Sequence, residues 1–129
     1  MIIKLFELNK LEIKNYKFYL LYGDNEGSKE ETIKNLFEKN YLDKTYRYEE
    51  KEILDNKDNF FNTILTKSFF DNEKLIIINR ATDKIRETVE SLIEKNPEDI
   101  KIILNSKNLE KKSILRKIFE KEKSIICVP

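Results

Sequence analysis

The sequence contains no histidine, a single cysteine and only two glycines among its 129 residues. Without histidine, the chain has no imidazole general base, no serine–histidine pair and no histidine metal ligand. Cys127 stands alone, so it can form no internal disulfide and cannot supply the paired thiolates of a zinc site. These absences exclude the commonest hydrolytic and metal-dependent sites, predict no metal cofactor, and favour a reducing, cytoplasmic location.

Long apolar runs are missing as well. No stretch approaches the roughly 20 residues of a membrane-spanning helix, and charges interrupt the first residues too early for a secretory signal. Lysine and arginine number 25 against 24 aspartates and glutamates, which leaves a formal charge of +1. Such a surface has no net field that would attract phosphate backbones. We therefore expect a soluble cytoplasmic protein with no membrane partner and no strong affinity of its own for duplex DNA.

Short apolar runs alternate with segments of helical periodicity along the chain. Three runs are nearly continuous in apolar side chains, as in strands buried on both faces, and the second run alternates like an edge strand. Apolar residues spaced by three and four place one stripe on each helical segment. The predicted strands are 18–22, 46–49, 74–79, 100–104 and 124–128, and the predicted helices are 28–39, 53–66, 82–94 and 112–121. This order predicts one α/β domain over 1–129, with a five-stranded, mostly parallel sheet flanked by helices.

The stretch that begins YLLYGD has the strand–turn–helix layout of a nucleotide-binding P-loop, G-x-x-x-x-G-K-[S/T]. Gly23 opens the turn and Lys29 keeps the lysine position, but Ser28 replaces the second glycine and Glu30 replaces the Mg²⁺-binding hydroxyl. Because a carboxylate repels a triphosphate, we interpret these four residues as a vestigial loop that binds no cofactor. Locally, we expect Ser28 to cap the following helix, with Glu31 completing a capping box.

The carboxyl ends of two other predicted strands carry amide side chains at positions that belong to the nucleotide site of an ATPase. Asn79 and Arg80 end the third strand, where an ATPase places the aspartate that holds Mg²⁺. Asn105 ends the fourth strand, either as an ordinary turn residue or as the remnant of a phosphate sensor. With two elements of the site missing, we predict no ATP hydrolysis and no enzymatic activity by the chain itself. The alternative is a small P-loop-like nucleotide-binding enzyme with a degenerate loop, for which Lys29 is the only support.

Two adjacent phenylalanines, Phe69 and Phe70, follow Ser68 between the second predicted helix and the third predicted strand. Neighbouring residues of a helix or strand cannot both face one core, so at least one ring is expected to be exposed or to fill a boundary. An exposed aromatic ring in a loop is a plausible anchor for a partner protein. The other interpretation is that one ring packs under the sheet while its neighbour covers the helix end.

In the order and spacing of these motifs, the chain resembles the delta subunit of bacterial DNA polymerase III, the clamp-loader subunit that opens the sliding clamp. The resemblance covers essentially the whole chain and rests on FYLLYGDNE, SFFDNEKLIIINR, EDIKIILNSKNLEKKSILRKIFEK and SIICVP. It implies an AAA+-like N-terminal domain of the P-loop NTPase type whose nucleotide site has lapsed. It also implies that Ser68, Phe69 and Phe70 form the clamp-binding motif, with Phe69 in place of the family's usual leucine.

The resemblance further implies the partners. They are the sliding clamp (the beta subunit), the other clamp-loader subunits in a full-length protein, and DNA only through the assembled complex. Family members continue into a helical lid and collar beyond the position of Pro129, so we expect an excised N-terminal domain or an unusually short relative. A delta-prime subunit is the remaining clamp-loader alternative, but its Ser-Arg-Cys motif and zinc module do not occur in this sequence.

Overall fold

A computed structural model describes residues 1–10, 16–41, 44–65, 73–121 and 124–128. Within them the strands are β1 (Ile2–Lys4), β2 (Phe18–Tyr22), β3 (Thr45–Glu49), β4 (Lys74–Asn79), β5 (Ile100–Ser106) and β6 (Ile125–Val128). The helices are α1 (Glu26–Leu36), α2 (Glu50–Asp55), α3 (Lys57–Leu65), α4 (Arg86–Lys95) and α5 (Ile114–Lys121). Short 3-10 turns cover Leu5–Lys10, Glu38–Asn40 and Asp83–Ile85.

The described strands form one sheet in the order β1-β6-β2-β5-β4-β3, and every neighbouring pair is parallel. The predicted α/β class with a parallel sheet is confirmed, but the prediction of five strands is wrong, because the sheet has six. The additional strand, β1, pairs with β6 at the sheet edge, and the Met1 amino group donates to the Ser124 carbonyl over 2.8 Å. Its three partly exposed residues lack the continuous apolar pattern that identifies the inner strands.

The inner strands are buried along almost their whole length. All residues of β2 and β5 are buried, and β4 is buried up to Ile78, whereas β3 at the far edge is partly exposed. These burial patterns confirm the interpretation of continuous apolar runs as central strands and of the alternating run as an edge strand. Parallel sheets need cover on both faces because their strands present apolar side chains to both.

Alternate strand residues enter two separate cores, one on each face of the sheet. One core contains Leu20, Ile78 and Leu104 and is covered by apolar residues of α2, α3, α4 and α5. The other contains Tyr19, Leu21 and Ile77 and is covered by α1 and the N-terminal 3-10 turn. Helices therefore pack on both faces, as the alternation of elements predicts. None of the helices in the described part of the chain is long and apolar enough to cross a membrane.

The helix boundaries differ from the predicted ones at several points. The predicted helix 53–66 is two helices, because Asn56 leaves the helical conformation and its side chain accepts a hydrogen bond from the Asn59 N–H over 3.2 Å. The first helix begins at Glu26 rather than at Ser28, and α4 is preceded by a 3-10 turn over Asp83–Ile85. Side-chain hydrogen bonds at the helix ends, rather than apolar periodicity, decide these limits.

Burial of Cys127 predicts a measurable dependence of stability on pH. Burial raises the pKa of the Cys127 thiol from 9.0 to about 12. Because the folded state holds this proton more tightly than the unfolded state, the stabilisation is complete below about pH 9 and is lost as the pH rises towards 12. Cys127→Ala should therefore flatten the decline in the free energy of unfolding across that window, measured by urea denaturation. Parallel pH profiles for the two proteins would contradict the assignment.

Candidate functional site

A tight turn connects the central strand β2 to α1 at the side of the sheet where the parallel strands end, here called the carboxyl edge. Gly23 has a φ of 135°, a conformation that side-chain-bearing residues rarely adopt. Asn25 is the N-cap, and its side chain accepts a hydrogen bond from the Ser28 N–H over 3.0 Å. The expectation that Ser28 caps α1 with Glu31 is therefore wrong, because Ser28 already lies within the first helical turn. The helix starts so soon after Gly23 that no loop remains to wrap around a phosphate.

Lys29, the residue at the P-loop lysine position, is bound to the protein itself. Its side chain is 2% exposed, and its ammonium group donates to the Ser106 carbonyl over 2.6 Å and to Glu26 Oε1 over 2.7 Å. The positive charge of Lys29 is therefore paired with the Glu26 carboxylate and hydrogen-bonded to a backbone carbonyl of the same domain. The Lys29 ammonium is consequently already engaged at the place where a nucleotide-binding protein would present it to phosphates.

Glu30 belongs to a polar network that joins α1 to three strands. The Arg47 guanidinium approaches Glu30 Oε2 at 3.2 Å and also donates to Glu38, over 2.9 Å from Nε. Asn105 Nδ2 donates to Glu30 Oε1 over 3.4 Å and to Asn79 Oδ1 over 3.1 Å. The structure thus brings together Glu30, Asn79 and Asn105, which are far apart in the sequence. Arg47 was not predicted at this site, since an arginine on an alternating edge strand carries no signal of its partner.

The charged groups of the network pair with one another, Arg47 with Glu30 and Glu38. Burial by itself would lower the pKa of Arg47, but its hydrogen bonds and charge interactions with Glu30 and Glu38 raise the pKa overall. Arg47 therefore remains a cation that is held by two carboxylates. Asn105 is 3% exposed, and its amide group already donates to neighbouring side chains, while its Oδ1 atom has no hydrogen-bond partner among the described residues.

This donor set does not fit a nucleotide triphosphate. Phosphate groups need free N–H donors and positive charge. At this edge the ammonium of Lys29, the guanidinium of Arg47 and the amide of Asn105 all donate to oxygens of the protein. Among the described residues, no group of three or more cysteine, aspartate or glutamate side chains could hold a metal ion either. The arrangement supports a structural role for the vestigial loop and gives no support to a nucleotide-dependent enzyme.

Two further carboxylates fix the loops that follow β4 and β5 at the same edge. Glu50 accepts hydrogen bonds from the Thr82 backbone N–H over 2.5 Å and from its hydroxyl over 2.8 Å. Asp83 accepts from the Ser113 hydroxyl over 2.8 Å and from the Leu115 N–H over 3.1 Å. Although burial alone would raise the pKa of Asp83, these hydrogen bonds at the start of α5 lower it. The carboxyl edge is therefore tied together by its own side chains.

The predicted clamp-binding residues Ser68, Phe69 and Phe70 lie outside the described residues. Their place in the chain is nevertheless fixed by their flanks, because α3 ends at Leu65 and β4 begins at Lys74. The segment therefore leads into β4 at the side of the sheet where the parallel strands begin, here called the amino edge. Lys29 and its partners lie at the carboxyl edge, about 17 Å away along a strand of this length.

The internal bonds of Lys29 predict that its loss destabilises the fold. Lys29→Met should lower the free energy of unfolding by about 1–3 kcal/mol, because the buried Ser106 carbonyl loses its donor. Lys34→Met is the matched control, since Lys34 lies on the same helix but is exposed. We expect the control to change stability by less than about 0.5 kcal/mol in urea denaturation. Equal effects of the two substitutions would show that the Lys29 bonds contribute nothing specific.

The engaged donors also predict that nucleotide does not bind. Isothermal titration calorimetry of the chain with Mg-ATP should give no saturable heat, because binding would require the Lys29 ammonium to leave Ser106 and Glu26. ADP without magnesium serves as the second titrant, since it avoids the repulsion between Glu30 and a γ-phosphate. Saturable binding of either nucleotide in the micromolar range would contradict the assignment of a lapsed site.

Comparison with known proteins assigns the chain to a family. The family model described as DNA polymerase III, delta subunit, matches residues 19–128. That range contains β3, β4, β5 and β6, β2 from Tyr19 onward, the helices α1 to α5 and the Ser68–Phe70 motif. A search of curated proteins returns no match. Since the family match extends over most of the sequence, the chain belongs to the family of DNA polymerase III delta subunits.

Proposed function

We propose that this chain binds the DNA sliding clamp through Phe69 and Phe70 and helps to hold the clamp ring open. The delta-subunit match over residues 19–128 carries this proposal, because the family implies a role related to the clamp loader in DNA replication. Clamp-loader delta subunits are generally non-catalytic. The self-contained polar network around Lys29 and Glu30 supports the same conclusion for this chain.

The two phenylalanines have suitable chemistry for a docking anchor. Burying one phenylalanine side chain on a partner contributes roughly 1.5–3 kcal/mol. A pair of rings could therefore anchor the contact, but tight binding would need a surrounding rim that excludes water. The motif joins the amino edge of the sheet, so a clamp bound there would not compete for space with the network around Lys29.

Ring opening requires more than attachment. A bound protein shifts the clamp towards an open form only if it contacts the open form better than the closed form. Strand β4 begins four residues after Phe70 and is buried from Lys74 to Ile78, and an anchored strand of this kind supports such a role. We propose that this chain acts as a wedge in this sense and does not hydrolyse ATP.

The remaining features of the proposal follow the family. We propose that residues 1–129 form one AAA+-like N-terminal domain, with Lys29, Asn79 and Asn105 at the positions of a former nucleotide site. The other clamp-loader subunits would be further partners, and DNA would be reached through the assembled complex. The proposed location is the cytoplasm. A nucleotide-binding enzyme finds no support in the donor set, and a delta-prime subunit finds none in the match to delta subunits.

The clamp-binding proposal is tested by removing both rings. The double substitution Phe69→Ala with Phe70→Ala should abolish binding to the sliding clamp of the same organism, because both apolar anchors are lost. Surface plasmon resonance with immobilised clamp measures the affinity, and thermal unfolding measures stability. Phe6→Ala is the matched control, since Phe6 is 74% exposed and lies in the N-terminal 3-10 turn.

Three outcomes of this experiment are distinct. Loss of clamp binding with an unchanged melting temperature, together with normal binding by the Phe6 variant, supports the proposal. Unchanged clamp affinity of the double variant refutes the anchor assignment. Unfolding of the double variant would mean that the rings belong to the core of this domain.

A further inference from the structure

Two buried lysines lie at the amino edge of the sheet, close to the start of β4, which follows the proposed clamp-binding motif. Lys74 is 8% exposed and Lys101 is 2% exposed. Burying a lysine is unfavourable unless its charge is paired, and an apolar residue at such a position is often neutral or stabilising. They lie near the starts of β4 and β5, where the residues that directly follow them are apolar, and their contacts point to a role beyond packing.

Lys74 connects the residues on either side of segment 66–72. Its ammonium group donates to the carbonyl of Ile64, near the end of α3, over 3.4 Å. Its backbone N–H donates to the Asp99 carbonyl over 2.7 Å, which fixes the start of β4 against the chain that enters β5. The points where the chain leaves α3 and joins β4 are thus held together by one side chain.

The start of β4 is also linked to two residues of other segments, Tyr41 and Lys101, through Glu73. Burial raises the pKa of Tyr41, and the charge of Glu73, the residue directly before β4, and a hydrogen bond with it raise this pKa further. The Lys101 ammonium lies 5.7 Å from the centroid of the Tyr19 ring. Burial lowers the pKa of Lys101, and the charge of Glu73 opposes that shift. The charge of Glu73, directly before β4, therefore acts on both Tyr41 and Lys101.

We propose that Tyr41, Glu73, Lys74 and Lys101, here called the stem cluster, are positioning residues that set where the chain leaves α3 and enters β4, on either side of segment 66–72. In this role they fix the two flanks of the segment that carries the phenylalanine pair, so the inference rests on the proposed function. A fixed stem reduces the conformational freedom that binding must remove, and affinity rises accordingly. Residues that only stabilise the fold would affect affinity no more than equally buried residues elsewhere.

The test compares two buried lysines at opposite edges of the sheet. Lys74→Met should weaken clamp binding on the order of tenfold, because the two ends of the segment are no longer joined. Lys29→Met is the matched control, since Lys29 is equally buried but lies at the carboxyl edge. The control should leave clamp affinity unchanged even where it lowers stability. Surface plasmon resonance measures affinity at a temperature at which all variants are folded.

A double-mutant cycle separates positioning from general destabilisation. If Lys74 acts through the rings, Lys74→Met should cause little additional loss when Phe70→Ala is already present. Lys74→Arg, which keeps the charge and donors, should restore part of the affinity. If Lys74→Met fails to fold, Tyr41→Phe replaces it in the same cycle, because this substitution removes only the hydroxyl group.

The outcomes distinguish this inference from the proposed function. If the unmodified chain does not bind the clamp, the proposed function fails and the inference fails with it. If the unmodified chain binds but Lys74→Met or Tyr41→Phe binds as tightly as Lys29→Met, only the stem-cluster inference is overturned. Selective weakening that disappears in the Phe70→Ala background supports it.

Discussion

Burial of the central strands on both faces is the constraint on which the other features of this domain depend. β2, β4 and β5 carry apolar side chains towards both helical layers, so the middle of the sheet has almost no place for polar chemistry. Polar and charged side chains are consequently concentrated at the two edges where strands begin and end. The side chains of the two edges are organised differently.

The carboxyl edge, where α/β proteins usually bind ligands, satisfies its own charges. Lys29 is held by Ser106 and Glu26, and Glu30 is held by Arg47. These bonds join the first helix to neighbouring strands and make this polar network part of the scaffold. The amino edge instead leads into the segment with the two phenylalanines. The proposed partner contact and the polar network around Lys29 are therefore separated along the chain.

The elements that sequence reasoning predicted correctly are those with a strong local signal. The short, nearly continuous apolar runs of β2, β4 and β5 indicated strands buried on both faces, and the alternation around Arg47 indicated an edge strand. The short strand β1 was missed because its pairing with β6 involves residues at opposite ends of the chain. The cap at Ser28 was predicted wrongly because Asn25, three residues earlier, offers an equally good side chain, and only the turn geometry selects between them.

The candidate site was predictable only in part. The positions of Lys29, Asn79 and Asn105 at one edge follow from the parallel order of the strands, whereas the Arg47 contact to Glu30 does not. The prediction for Phe69 and Phe70 lies outside the described residues and remains a prediction. By itself, the sequence determined the α/β class, the inner strands and the loss of the nucleotide motif, because these depend on local composition and spacing. Only the tertiary structure decided that three lysines are buried, since their hydrogen-bonding and ring partners come from other elements and a lysine alone predicts exposure.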